Sequence, residues 1–87
     1  MIQIDYLGTH CSTDNAVDAL QITRALIENV SDYNQEPQHI YITIDGVENT
    51  ITIPKWNNDG ITEFKSINDE EYTNYDFDYH LVHLFDL

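Results

Sequence analysis

Carboxylates and tyrosines are closely mixed in the C-terminal part of the chain, between residues 69 and 79. The acidic members are Asp69, Glu70, Glu71, Asp76 and Asp78, and the aromatic members are Tyr72, Tyr75, Phe77 and Tyr79. Carboxylates attract a basic partner over long range, and tyrosine rings that lose water on binding add affinity. We therefore predict that the five acids contact a basic protein, with Tyr72 and Tyr75 as anchors and Trp56 as a second contact.

The charge of the whole chain supports this interpretation. Its 87 residues hold 16 Asp and Glu against 3 Lys and Arg, which gives a net charge of −13. Nucleic acids and anionic membranes bind basic proteins, so we expect neither as a direct partner. Seven of the acids lie in the last 25 residues, where Lys65 is the one basic residue. We also expect added salt to stabilise the fold, because salt screens the repulsion between these charges.

Two of the carboxylates have a spacing that suggests mimicry of a nucleic acid. If residues 74–80 form a strand, Asp76 and Asp78 lie on one face, about 6.6–6.8 Å apart. This spacing is similar in scale to that of successive phosphates along a nucleic-acid strand. The pattern therefore predicts a surface that competes with nucleic acid for a basic groove.

Metal and cofactor chemistry has little support in the residue types. The histidines are His10, His39, His80 and His83. His80 and His83 would share a face only on a helix, and the chain has neither a Cys-x-x-Cys nor a His-Glu-x-x-His motif. Residues 57–60 resemble the middle of an EF-hand loop, but Lys55 and Ser66 occupy the positions that need carboxylates. We expect no metal site and no cofactor.

We predict that the protein is not an enzyme. Cys11 can be paired on paper with His10 or with His80, but one cysteine and four histidines give such pairs by chance. A chain of this length has little bulk to enclose a water-free pocket. Its three basic residues also leave little to hold an anionic substrate or intermediate.

The elements that must position these residues begin with a strand and a helix. Residues 2–7 alternate between apolar and polar side chains and predict a strand, and residues 8–12 predict a loop. Apolar residues recur every three or four positions over about 14–31. This period predicts a helix, capped by Ser12 or Thr13, whose apolar face packs on a sheet.

Isoleucine-rich segments on either side of residue 46 predict a β-hairpin with two possible registers. A two-residue turn at Asp45 and Gly46 would place Ile44 opposite Val47. A four-residue loop would instead place Ile44 opposite Ile51. We favour the second register because it pairs isoleucines on the face that the helix needs.

A second turn, at residues 57–60, joins this hairpin to a strand predicted over residues 61–67. Their pairing would place Ile53 opposite Phe64 on the core face and leave a partly apolar second face near Tyr41. Residues 68–71 predict a charged break in the chain.

The remaining residues predict a final strand from about 74 to 85. For residues 81–87 the pattern leaves strand and helix as alternatives.

This order of elements, β-α-β-β-β-β, predicts an α+β fold in a single domain over residues 1–87. One N-terminal helix packs on a four- to five-stranded, mainly antiparallel sheet. No apolar stretch has the length of a membrane span, and the N-terminus lacks the features of a signal peptide. We therefore expect a cytoplasmic monomer or homodimer.

The chain resembles a class of proteins in its length, its charge and its acidic, tyrosine-rich C-terminal segment. It is similar in these respects to small phage-encoded inhibitors, including acidic anti-CRISPR proteins and DNA mimics. The resemblance implies an inhibitor that occupies the nucleic-acid-binding surface of a nuclease or related enzyme in the host cytoplasm. It rests on composition, so it assigns no individual residue.

Two other classes of function remain open. An immunity protein or antitoxin that neutralises a nuclease toxin would dock a similar acidic patch on a basic site. A small structural or assembly subunit would self-associate through an exposed sheet edge or through the face around Tyr41, Trp56 and Ile61.

Overall fold

A computed structural model of the chain describes residues 1–30, 35–55 and 64–87. The elements within these ranges are, in chain order, β1 (Ile2–Tyr6), β2 (Thr9–Thr13), α1 (Ala16–Val30), β3 (Gln38–Ile44), β4 (Val47–Ile53), β5 (Phe64–Ile67), β6 (Glu70–Thr73) and α2 (Asn74–Leu84). The strands form one sheet in the order β2-β1-β3-β4-β5-β6, and every neighbouring pair is antiparallel. The predicted α+β class is confirmed, with six strands in the described ranges where four or five were expected, and with a second helix.

Both helices pack on the same face of the sheet, and the core lies between them and an array of isoleucines. Ile4 lies opposite Ile42, and Ile40 lies opposite Ile51. The buried isoleucines of the sheet are Ile2, Ile4, Ile40, Ile42, Ile51, Ile53 and Ile67. The helices add Ala19, Leu20, Thr23 and Val30 from α1 and Phe77 and Leu81 from α2. Each large apolar side chain buried in this way contributes about 1.5–3 kcal/mol to the stability of the fold.

The segment predicted as a loop over residues 8–12 is largely a strand. Leu7 and Gly8 form a two-residue turn with positive φ angles of 44° and 81°, after which β2 pairs with β1. Because Ser12 and Thr13 lie in this strand, neither caps α1. The cap is instead Asn15, whose Oδ1 accepts a hydrogen bond from the Asp18 N–H at 3.1 Å.

The favoured register of the β3–β4 hairpin is wrong. The turn has two residues, Asp45 and Gly46, with φ angles of 49° and 84°, and Ile44 lies opposite Val47. Both registers put isoleucines on the same face, so the apolar pattern did not distinguish them. The type I′ geometry of the turn matches the twist of the strands and decides between the two.

The predicted pairing of Ile53 with Phe64 is also wrong. The pairs between β4 and β5 are Ile51 with Ile67 and Thr52 with Ser66. A change of register by one residue exchanges the two faces of a strand. Ile67 is consequently buried at 8% exposure, whereas Phe64 points away from the core and is 46% exposed.

The strand predicted from about 74 to 85 is instead the helix α2, and the predicted break at residues 68–71 contains a turn and the start of β6. Asn68 and Asp69 form a turn with φ angles of 51° and 69°, and β6 pairs with β5 immediately afterwards. Helix α2 then includes residues 81–84, which settles the alternative left open for this segment. As a helix the segment buries Phe77 and Leu81 one turn apart and leaves Tyr75 and Tyr79 exposed, whereas a strand would place all four side chains on one face. No helix among the described residues is long and apolar enough to cross a membrane.

Candidate protein-interaction surface

The turn between β5 and β6 is held in place by Asn68. Its backbone N–H donates to the Thr50 carbonyl at 2.8 Å, and its Oδ1 accepts from the Thr50 N–H at 2.9 Å. Its side-chain amide also donates to Asn49 at 2.9 Å. Asparagine tolerates a positive φ and can mimic a backbone group, so it continues the β4–β5 ladder into the turn. Asp69 is thereby presented at the start of β6.

Strand β6 places its two glutamates on opposite faces of the sheet. Glu70 lies opposite the buried Ile67 and therefore shares the helix-covered face, whereas Glu71 lies opposite Ser66 on the other face. Tyr72, next along the strand, returns to the helix side. The predicted acidic cluster therefore surrounds the edge strand instead of lying in one plane.

Tyr72 links β6 to α2 and to its own strand. Its ring stacks on the His80 ring, with centroids 3.9 Å apart and planes 23° apart. Its hydroxyl donates a hydrogen bond to Glu70 at 2.7 Å, and this bond to a carboxylate raises the pKa of the Tyr72 hydroxyl. Because Tyr72 is half-buried and stacked on His80, it supports the neighbouring exposed residues and is less accessible to a partner than they are.

Helix α2 presents two exposed tyrosines next to an acid. Thr73 caps the helix by accepting from the Asp76 N–H at 3.3 Å. Tyr75 is 93% exposed and Tyr79 is 64% exposed, and their i, i+4 spacing puts them on one side of the helix. The His83 ring contacts Tyr79 edge-on, with centroids 4.5 Å apart, and extends the same side by one turn.

Tyr79 and His83 were not among the predicted contact residues. In a strand Tyr75, Tyr79 and His83 would share one face with Phe77 and Leu81, so the predicted element did not separate these residues from the buried ones. The helical spacing of 75, 79 and 83 makes that separation once a helix is assigned.

The predicted pairing of Asp76 and Asp78 on one strand face is wrong. In a helix, residues two apart do not face each other. Asp78 instead receives two hydrogen bonds from the Arg24 guanidinium, at 2.8 and 2.6 Å. These bonds hold the pKa of the Asp78 carboxyl below its usual value, and they join α2 to α1. The charge of Asp78 is therefore compensated by Arg24 within the fold.

The remaining carboxylates of this region are exposed to solvent. Lys65, the nearest basic residue in the sequence, lies half-buried under α2, where its Nζ donates to Asn74 at 2.6 Å and lies 5.7 Å from the centroid of the Phe77 ring. Burial lowers the pKa of its ammonium group. Among the described residues, no ion pair involves the acids Asp69, Glu70, Glu71 or Asp76. We call these four acids together with Tyr75 and Tyr79 the acidic–tyrosine surface.

Other predicted features are placed differently or lie outside the described residues. Trp56, the second predicted contact, and the turn at residues 57–60 both lie outside them. Tyr41 is 41% exposed on the sheet face opposite the helices. His10 contacts the Asp5 carboxylate through Nδ1, whereas the neighbouring Cys11 lies on the other face of β2.

Helix α2 does bring His80 and His83 one turn apart, which is the arrangement that a shared metal ion would need. His80 is stacked on Tyr72, however, and His83 packs on Tyr79. In the three described ranges, no group of three or more potential ligands is arranged to hold a metal ion.

Comparison of the chain with protein-family models, curated proteins and solved structures gave no match.

Proposed function

We propose that this protein is a non-enzymatic inhibitor that binds the basic, nucleic-acid-binding surface of a nuclease or another nucleic-acid-processing protein. The observation that carries the proposal is the acidic–tyrosine surface, in which uncompensated carboxylates lie beside two exposed tyrosine rings. In this proposal the protein acts in the cytoplasm of a host cell, as an anti-defence factor of the DNA-mimic kind.

The charge distribution supports steering toward a basic groove. Of the three basic side chains, Arg24 is engaged by Asp78, Lys65 is covered by α2, and Lys55, which follows β4, is exposed. The outward field near β6 is therefore dominated by carboxylates, within a chain of net charge −13. Such a field speeds association with a basic surface and is weakened by salt.

The tyrosines supply the part of the affinity that charge alone does not provide. Tyr75 and Tyr79 project from a capped helix whose other side is anchored in the core by Phe77 and Leu81. Anchors on a rigid element lose little conformational entropy on binding, and tyrosine is enriched among residues that dominate binding energy. Arginine side chains of a nucleic-acid-binding site can stack on such rings while they pair with Asp76.

The test compares two triple variants of the full chain as bait in a bacterial lysate. Glu70→Gln, Glu71→Gln and Asp76→Asn neutralise three of the four acids of the acidic–tyrosine surface. Asp18→Asn, Glu28→Gln and Glu48→Gln form the matched control, since they remove the same residue types from exposed positions elsewhere.

We expect the wild type and the control to capture a nucleic-acid-binding protein, identified by mass spectrometry, that excess duplex DNA displaces. The surface variant should capture at least about tenfold less, because steering and contact charges are lost together. Equal capture by both variants, or a captured protein indifferent to DNA, would contradict the proposal. If the captured protein is a nuclease toxin, the protein acts as an immunity protein through the same surface.

A further inference from the structure

Strand β2 is an open edge of the sheet. It pairs with β1 on one side, and within the described ranges no strand pairs with its other side. An open edge displays backbone N–H and C=O groups that can pair with another strand. β2 lies at the end of the sheet opposite β6, so a role for this edge is independent of the proposed function.

The strand pairings determine which backbone groups of β2 point outward. The Asp45 N–H donates to the Met1 carbonyl at 3.2 Å, which shows that odd-numbered residues of β1 bond to β3. Even-numbered residues of β1 therefore bond to β2, and their partners there include Cys11 opposite Ile4. By alternation, His10 and Ser12 direct their backbone N–H and C=O groups away from the sheet.

The side chains of β2 carry no carboxylate. The strand reads Thr-His-Cys-Ser-Thr, and His10 contacts Asp5 on the neighbouring strand. Two copies of a chain with net charge −13 repel one another over most of their surfaces. At β2 they can approach without placing carboxylates directly opposite carboxylates, which cross-strand pairing disfavours.

We propose that two copies of this chain pair through β2, antiparallel about a two-fold axis that passes through Cys11. In this register His10 lies opposite Ser12 of the partner subunit, and Ser12 lies opposite the partner's His10. All four outward groups of each β2 are then used, because each of these two pairs exchanges two hydrogen bonds. Centring the axis on His10 would instead pair Ser12 with Gly8, which lies in the turn at a φ of 81°.

The register makes Cys11 a reporter of the interface. The two Cys11 residues form a non-hydrogen-bonded pair, for which the Cα atoms are about 4.5 Å apart, and this distance allows a disulfide. Diamide removes two electrons and two protons from the two thiols, forms the S–S bond and is itself reduced to the hydrazine. A cysteine at position 10 would not lie opposite the same position of the partner subunit, because the two are separated by about two residues along the strands in addition to the spacing between strands. Their Cα atoms are then beyond the disulfide limit of about 7 Å, and the same holds for position 12.

The first experiment measures association of the full chain by sedimentation equilibrium at about 0.15 and about 0.5 M NaCl, which differ in how strongly they screen charge. Ser12→Pro removes the outward N–H without removing a bond to β1, and edge strands tolerate such a proline. Ser12→Ala is the matched control that keeps the N–H. We expect a reversible dimer for the wild type and Ser12→Ala, tighter at higher salt, and a dissociation constant raised at least about tenfold by Ser12→Pro.

A second experiment tests the register and does not depend on how Ser12→Pro folds. The wild type, Cys11→Ser/Ser12→Cys and Cys11→Ser/His10→Cys are treated with diamide under native conditions and in urea. We expect the native wild type to form a disulfide dimer at least about tenfold faster than the other two, and the difference to vanish in urea.

Three results would overturn the proposal. The first is a wild-type chain that stays monomeric at millimolar concentration and high salt. The second is a folded Ser12→Pro variant, judged by its circular dichroism, that dimerises as the wild type does. The third is equal crosslinking at positions 10, 11 and 12 in the native state.

Discussion

The two edge strands of the sheet have similar architecture and opposite chemistry. Each follows a two-residue turn with positive φ angles, and each packs against a helix. β6 carries Glu70 and Glu71, one on each face, whereas β2 carries no carboxylate. Charges on an edge discourage pairing with other strands. The carboxylates therefore protect the β6 edge from strand pairing more than the β2 edge, and the two proposals above assign the two edges different roles accordingly.

The turns that lead into the two edges differ in the same sense. Asn68 suits its positive φ and forms three hydrogen bonds to β4. Leu7 has a φ of 44°, which is an unfavourable backbone conformation for leucine. Its side chain is 80% exposed, so packing of this side chain offsets little of that cost. The β6 edge is therefore anchored to the centre of the sheet more firmly than the β2 edge.

The largest effect is expected from removing the Asn68 side chain, which bonds the β6 turn to β4. Asn68→Ala should lower the free energy of unfolding by about 2 kcal/mol, since it removes two side-chain hydrogen bonds and puts a less tolerant residue at positive φ. Urea denaturation measures the change. Asn68→Gly keeps the backbone freedom and loses the same bonds, so it should be less destabilising than Asn68→Ala. Equal loss in both variants would show that the backbone conformation contributes nothing.

A second change removes the charge difference between the edges. In a Ser12→Pro background, where β2 is blocked, Glu70→Thr and Glu71→Thr should tighten self-association about tenfold, equivalent to about 1.4 kcal/mol. Threonine has high β-propensity and no charge, so the β6 edge no longer carries carboxylates that oppose pairing with another strand. Sedimentation equilibrium measures the association. If the chain stays monomeric with both glutamates replaced, their charge is not what prevents strand pairing at β6.

A third change improves the weaker turn. Leu7→Asn should raise the free energy of unfolding by about 1 kcal/mol, because asparagine adopts the left-handed region at lower cost than leucine. Thermal or urea unfolding measures the gain. Leu7→Ala removes the exposed leucine side chain without the conformational benefit and should change stability little. If the alanine variant gains as much, the strain at Leu7 is not the cause.

The smallest expected effect concerns the ion pair between Arg24 of α1 and Asp78 of α2, the helices that pack against the two edge strands. A double-mutant cycle with Arg24→Gln and Asp78→Asn should give a coupling of about 0.5 kcal/mol at neutral pH, because both groups are substantially exposed. The pKa of Asp78 is lowered in the folded state, so this stabilisation is present above the unfolded value of 3.8. It should decline as the pH falls from about that value through the folded pKa. A coupling that persists unchanged below the folded pKa would contradict an ionic origin.

Several parts of the fold could be predicted because they depend on local patterns. The alternation of isoleucines identified the core face of β1, β3 and β4, and the 3.6-residue period identified α1 and its packing on a sheet. The charged, tyrosine-containing character of the C-terminal segment is likewise a property of composition. These features do not require knowledge of which distant residues meet.

Two of the wrong predictions, the C-terminal strand and the register of the β3–β4 hairpin, share one cause, which is that two structures satisfied the same local pattern. Tyr75, Phe77 and Tyr79 alternate as a strand would, yet Phe77 and Leu81 also suit one side of a helix. Both registers of the β3–β4 hairpin placed isoleucines on one face. For each ambiguity the outcome depended on a turn conformation, a helix cap or packing in the core, none of which the alternation encodes.

The amino-acid sequence determined the large negative charge, its concentration toward the C-terminus and the apolar face on which the fold is built. Tertiary packing determined which of those charges remain available. Asp78 is neutralised by Arg24, 54 residues away, and Lys65 is drawn under α2, while Asp76 stays exposed beside Tyr75 and Tyr79. The physical reason is that a charge is compensated by its neighbours in space, and in a sheet with two helices on one face those neighbours come from distant segments of the chain.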